Sequence, residues 1–303
     1  MSRRFRLILH ISSIGKVTCI QGIYRAAGLF LLILLPLSAS TQVMTASAQL
    51  CKAWGEAVRI GELQPQLKEA SGLAASKQFP GRLYQMNDSG DGGRFYVTDM
   101  KGVISQTVRS RSEGRDPEAL SLQRCPGQTR SSCIYIGDIG DNDRRRESLE
   151  ITVVDEIQNF PERAVPRTRL RIRYPDGQHD SESMAVHPDG TIFILTKETP
   201  ARLFKGSIDR PNQTLTFVST LDTGGLPTDM SISDDGQRLL VLTYADATEY
   251  TMDFKTHQKI RLSFLQQQES VAYLPGGRSF IYTTERLFGA LPQFMMKVDC
   301  KSP

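Results

Sequence analysis

The sequence lacks most of the motifs on which enzymes are built. Only four histidines and one tryptophan occur in 303 residues. There is no Gly-x-Ser-x-Gly elbow, which argues against an α/β-hydrolase nucleophile. There is also no His-Glu-x-x-His, no phosphate-binding Gly loop with Lys-Ser/Thr and no dinucleotide fingerprint. No Cys-x-x-Cys occurs and no histidine adjoins a cysteine, so thiolate zinc ligation is disfavoured on spacing. Long apolar runs are missing too. The longest, Ala26 to Ala39, is about 14 residues, short of the roughly 20 that span a bilayer as a helix. Beyond it, no segment sustains helical periodicity.

That apolar run belongs to a leader. Residues 1–48 carry Arg3, Arg4, Arg6, Lys16 and Arg25 and no acid, and they end in small residues. This is the pattern of a secretory signal, with cleavage expected after Ala48 and Ser40 as the other site; an uncleaved anchor is the alternative. The remaining domain, residues 49–303, keeps 37 − 5 = 32 basic residues against 33 acids, a net charge of −1. No basic stripe argues for nucleic acid or, once the leader is removed, for an anionic membrane surface. The expected product is an exported monomer, periplasmic or secreted. Four cysteines remain in it: Cys51, Cys125, Cys133 and Cys300. An even number in an oxidising compartment implies two disulfides, for which three connectivities exist. We favour Cys125 with Cys133, closing a small loop, and Cys51 with Cys300, joining the ends.

What the domain does contain is a repeat. Five short segments begin with an acid and turn apolar: at Glu69, Glu118, Glu182, Asp229 and Glu269, spaced 49, 64, 47 and 40 residues apart. Each precedes a turn and a second β-prone strand; the turns include His187-Pro-Asp-Gly190, Ser233-Asp-Asp-Gly236 and Leu274-Pro-Gly-Gly277. Third and fourth strands follow. Four strands per period make a propeller blade, so the fold class is all-β, a β-propeller of five four-stranded blades. Six remain possible if the 64-residue spacing conceals an irregular unit. The fifth unit runs out of chain after Asp299, and the segment from Lys52 to Ile60 is expected to close it as the missing strand. That closure would bring Cys51 beside Cys300.

In such a blade the start of the first strand and the end of the second lie on one face. The acids therefore converge on one mouth of the central channel, joined by the loops after the second strands. So many carboxylates repel one another unless a cation, a basic partner such as Lys197 or Arg286, or water intervenes. Hard oxygen donors without His or Cys suit Ca²⁺. The expected ligands are Glu69, Asn87, Asp88, Glu118, Asp138 and Asn142, with Asp229 and Glu269 completing the acidic mouth. Capping of strand starts by the same acids is the competing structural reading. His179, three residues before Glu182, is the histidine nearest the mouth, and these two are the candidate proton-transfer residues.

The segments Glu-Ala-x-Gly-Leu, Asn-Asp-Ser-Gly-Asp, Gly-Asp-Ile-Gly-Asp-Asn and Glu-Ser-Met-Ala-Val resemble those of secreted bacterial β-propeller proteins. More distantly, the chain is similar to calcium-dependent propellers, the β-propeller phytases and the lactonases of the paraoxonase and gluconolactonase group. The resemblance implies calcium at a central mouth, with Glu69, Asn87 and Asp138 in ligand roles, and hydrolysis of a phosphoester or lactone. The alternative is a non-catalytic propeller whose mouth binds a protein or an envelope polymer. A shared propeller fold by itself assigns no activity.

Overall fold

Short runs of β-branched and aromatic residues, broken by Gly, Pro and Asp turns, produce twenty-one strands and no helix among the described residues. The computed structural model describes residues 50–88, 90–110, 114–262, 267–284 and 292–301. All of them belong to one compact unit. Residues 1–48, expected to be a secretory signal, and Glu285 and Arg286 lie outside the described residues.

The first strand, β1 (Val58–Glu62), waits for the end of the chain. Blade A is then β2 (Ala70–Ala75), β3 (Leu83–Asn87), β4 (Arg94–Thr98) and β5 (Ile104–Arg109). Blade B is β6 (Pro117–Arg124), β7 (Ser132–Asp138), β8 (Leu149–Asp155) and β9 (Thr168–Arg173). Blade C is β10 (Ser181–Val186), β11 (Thr191–Thr196), β12 (Ala201–Ser207) and β14 (Thr216–Leu221). Between its last two strands, β13 (Asn212–Thr214) departs to pair in parallel with β9 on the edge of blade B. Blade D is β15 (Pro227–Ile232), β16 (Arg238–Thr243), β17 (Asp246–Thr251) and β18 (His257–Arg261). Blade E is β19 (Gln268–Tyr273), β20 (Ser279–Thr284) and β21 (Phe294–Asp299), completed by β1 from the other end of the chain.

The innermost strands pack side by side in the order β2, β6, β10, β15, β19 and back to β2, which closes a five-bladed propeller. The 64-residue period hides no sixth unit; blade B has longer strands and longer loops. Strand alternation explains the packing. On β7, Cys133 and Tyr135 face blade C while Ile134 and Ile136 face blade A. Each of the five blade interfaces accordingly holds its own apolar cluster. Outer strands turn one face to solvent and alternate: on β9, Leu170 and Ile172 are buried while Arg169, Arg171 and Arg173 are not.

Closure follows the expected route with a later strand start. β1 pairs antiparallel with β21, whereas residues 52–57 hold blade E by single contacts, a Trp54–Cys300 bridge and a 2.8 Å bond from Gly55 N–H to the Asp299 carbonyl. Gly55 and Gly61 allow this close approach; a Cβ on Gly61 would lie 2.2 Å from the Lys101 carbonyl oxygen of blade A. Cys51–Cys300 and Cys125–Cys133 are both disulfides. Beneath the closure, the fully buried Glu249 carboxylate accepts from Cys51 N–H (3.1 Å), Trp54 Nε1 (3.2 Å), Arg238 (3.2 Å) and Tyr273 Oη (2.7 Å).

Candidate functional site

Each innermost strand carries an extra residue near its start, where its pairing with the second strand slips. The slip lies between Ala70 and Gly72, Pro117 and Ala119, Ser181 and Ser183, Pro227 and Asp229, and Gln268 and Val271. A bulge of this kind re-aims a side chain. Here the extra residues include Ser71, Glu118, Glu182 and Thr228, and in β19 the slip spans Glu269. Ser71, Glu118, Glu182 and Glu269 line a cavity of about 460 Å³ at the channel mouth. Two residues before each bulge stand Glu69, Asp116, Asp180, Leu226 and Gln267, so the repeat in blades B and C is acid-x-acid.

The carboxylates of Asp88, Asp116 and Glu118 bring ligand atoms within 4.8 Å of one another. Asp88 follows the end of β3, while Asp116 and Glu118 enter β6 from the next blade. Their support is built from the neighbouring loop. Asp138, almost fully buried, accepts the backbone N–H groups of Arg115 and Asp116, both at 3.1 Å, and pairs with Arg146 at 2.7 Å. Gly140 leaves room for the Asp116 carboxylate, which lies 2.3 Å from where a Cβ would stand. Ser71 Oγ donates to Glu118 Oε2 at 2.8 Å.

Burial and mutual repulsion raise Asp116 and Glu118. Burial, then the charges of Asp88 and Asp180, push Asp116 up to about 6, against a smaller opposing pull from Arg146. Burial, then Asp88 and Glu182, push Glu118, only 4% exposed, well above the usual carboxylate range. Hard oxygen donors crowded so closely are a donor set whose repulsion a divalent cation relieves.

The other side of the cavity is different. Glu182 pairs with Lys197, and the ammonium lies 5.7 Å from the centre of the Tyr244 ring. Burial pushes Glu182 up to about 7 although Lys197 pulls the other way. Burial by itself would lower Lys197, yet the Glu182 hydrogen bond and charge outweigh it and raise the ammonium. Lys197 is the one basic residue lining the cavity among the described residues.

The structure thus brings Glu69, Asp88, Glu118, Glu182 and Glu269 to one cavity and separates the rest of the expected set. Asn87 is buried beside it, its Oδ1 accepting Glu69 N–H (3.2 Å) and its Nδ2 donating to the Gln66 carbonyl (2.8 Å) and Asp91 (3.1 Å). Asn142 is exposed, outside the cavity lining. Asp229 does not open onto the mouth: fully buried, it accepts the N–H groups of Met230 and Val271, both at 2.8 Å, and so ties β15 to β19. Burial raises it well above the ordinary range despite those two bonds. His179 lies away from the cavity, packed on Tyr174 (4.8 Å) and Phe204 (5.5 Å) with Nε2 3.1 Å from both Asp176 and Arg202. Asp116 and Asp180 went unassigned by sequence, although Asp-Pro-Glu and Asp-Ser-Glu share a spacing that marks them. Cys125, Cys133 and Asp155 also converge, but both sulfurs are held in the disulfide.

No family model matches this chain, and no curated protein matches it. Among solved structures it is similar to a chain of Kuenenia stuttgartiensis hydrazine synthase at 15% identity and a TM-score of 0.41, covering 75% of this chain and 58% of that one. It is also similar to a chain of a nidogen/laminin complex at 14% identity and a TM-score of 0.46, covering 72% and 73%. Neither likeness bears on function, and the strand order alone makes the chain a five-bladed β-propeller.

Proposed function

We propose that this protein is an exported propeller that holds Ca²⁺ on Asp88, Asp116 and Glu118 and hydrolyses a small phosphoester or lactone at the same mouth. The observation that carries the reading is the convergence of three carboxylates from two blades within 4.8 Å, two of them driven toward protonation. When bound, the ion would polarise a substrate oxygen. Opposite it, Lys197 offers the positive charge for an anionic group. Glu182, with a proton affinity near neutrality, is the residue suited to exchange a proton there. Asp138, Gly140 and Asn87 position the ligands and touch no substrate. Export is supported by the basic and apolar leader and by two disulfides.

Calorimetric titration of chelator-treated protein with Ca²⁺ tests this. One saturable site is expected, lost in Asp88→Asn and in Glu118→Gln and kept in Asn142→Ala. At a hundredfold excess over Kd such a site raises stability by about 2.7 kcal/mol. Unchanged calcium affinity in both carboxylate variants would remove the assignment. Binding without turnover of any phosphoester or lactone would leave a metal-stabilised module for an envelope polymer.

A further inference from the structure

The outer edges of the blades are not all treated alike. The edge of blade A is covered by blade B, whose Glu162 carbonyl and Ala164 N–H bond both backbone groups of Arg109 at 2.9 Å. The edge of blade B carries β13. In blade D, β18 pairs with β17 on one side, and no strand lies along its other edge among the described residues. A groove of about 320 Å³ lies there instead, between residues 258–261 of β18 and residues 52–56 of the closing segment.

The lining locates this groove at the backbone. Successive side chains of a strand point to opposite faces. A groove touching four consecutive residues of β18 therefore runs along the strand edge, and β17 already occupies the other edge. On the far wall, the closing segment is bonded to blade E through Gly55 and Ala53, so its opposite edge faces the groove. The charges are one-sided: Lys52, Lys259, Arg261 and Lys301 against Glu56. Lys259 is neutralised by Asp246 at 2.6 Å, whereas Lys52, Arg261 and Lys301 form no ion pair among the described residues. Buried Ile260 and the partly buried Trp54 supply apolar surface between them.

We propose that this groove is a docking site for an extended acidic peptide, which adds as a strand along β18 with alternate carboxylates toward Lys52, Arg261 and Lys301. Backbone pairing supplies the affinity in such strand addition, and side-chain alternation supplies the selectivity. The site is separate from the acidic mouth and does not depend on what binds there.

Trp54 is the only tryptophan in the chain and it lines this groove, so a change in emission on adding peptide reports binding beside it. The probe is an acetylated, amidated hexapeptide of alternating Glu and Val, titrated at about 0.15 M salt, where the screening length is about 8 Å. A saturable change in emission is expected. Arg261→Glu with Lys301→Glu should weaken it about tenfold or more, a loss of about 1.4 kcal/mol, with an unchanged melting temperature because both side chains are exposed. The same peptide N-methylated at alternate amides needs no protein variant and should also bind at least about tenfold more weakly, since it cannot complete the ladder. Absence of a saturable change at millimolar peptide overturns the proposal. Equal binding of the N-methylated peptide, or of linear polyphosphate, overturns it too, because charge alone would then account for the groove.

Discussion

Calcium affinity at the mouth should depend steeply on pH between 5 and 7, and the slope follows from the carboxyl environments. Asp116 titrates near 6 in the metal-free fold, so at pH 5 an incoming ion must displace its proton and at pH 7 it need not. A group with that pKa changes apparent affinity about tenfold over the two units. Glu118, raised by burial and then by the charges of Asp88 and Glu182, steepens the dependence in the same direction. The metal-free protein should show the opposite trend. Both carboxyls have folded-state pKa values above their unfolded ones, so their contribution is complete at acid pH and is lost as pH rises through about 6 and beyond. In chelator, Glu118→Gln should therefore gain stability over wild type as pH increases, while losing the calcium response. Titration calorimetry at pH 5, 6 and 7, in two buffers of different ionisation enthalpy, measures affinity and proton release together. A dissociation constant constant within about twofold across that range, with no proton released, would refute the shared carboxylate site.

Other residues give independent checks. Gly140→Ala places a methyl where the Asp116 carboxylate now lies, and calcium affinity should fall while circular dichroism stays unchanged; an unaltered affinity would mean Asp116 is not a ligand. Glu249→Ala removes the acceptor of four hydrogen bonds and strands the nearly buried Arg238, at a cost of about 3–5 kcal/mol in urea unfolding. Calcium-saturated and chelated protein should lose similar amounts. Cys51→Ser with Cys300→Ser opens a loop of 249 residues, worth about 5 kcal/mol in the chain-entropy model, whereas the eight-residue Cys125–Cys133 loop is worth about half that. Equal losses on removing either disulfide would contradict closure as the source of the effect.

The sequence by itself determined the propeller, the order of the strands and the route of closure; it favoured five blades, and the structure decided against a sixth. Periods of forty to sixty residues, turn chemistry and two-residue alternation are local signals. A last unit with three strands, facing an unassigned segment at the other terminus, favoured the closing pair and with it the Cys51–Cys300 disulfide, and the structure contains both. Only the tertiary structure decided which acids face the mouth. Aligning Glu69 and Asp229 with Glu118 by their small-then-apolar sequels puts the first two residues early and the second one residue late relative to the bulge. Ser71 and Thr228 hold those places instead. A single inserted residue reverses every side chain beyond it, and nothing in spacing alone shows where the slip falls. That is why Asp229 became a buried tie between blades D and E, and why Asp116, two residues ahead of Glu118, reached the carboxylate cluster. His179 illustrates the same limit. Its proximity to Glu182 along the chain is real, but the turn into β10 sets its ring against Tyr174 and Phe204, away from the cavity that Glu182 enters.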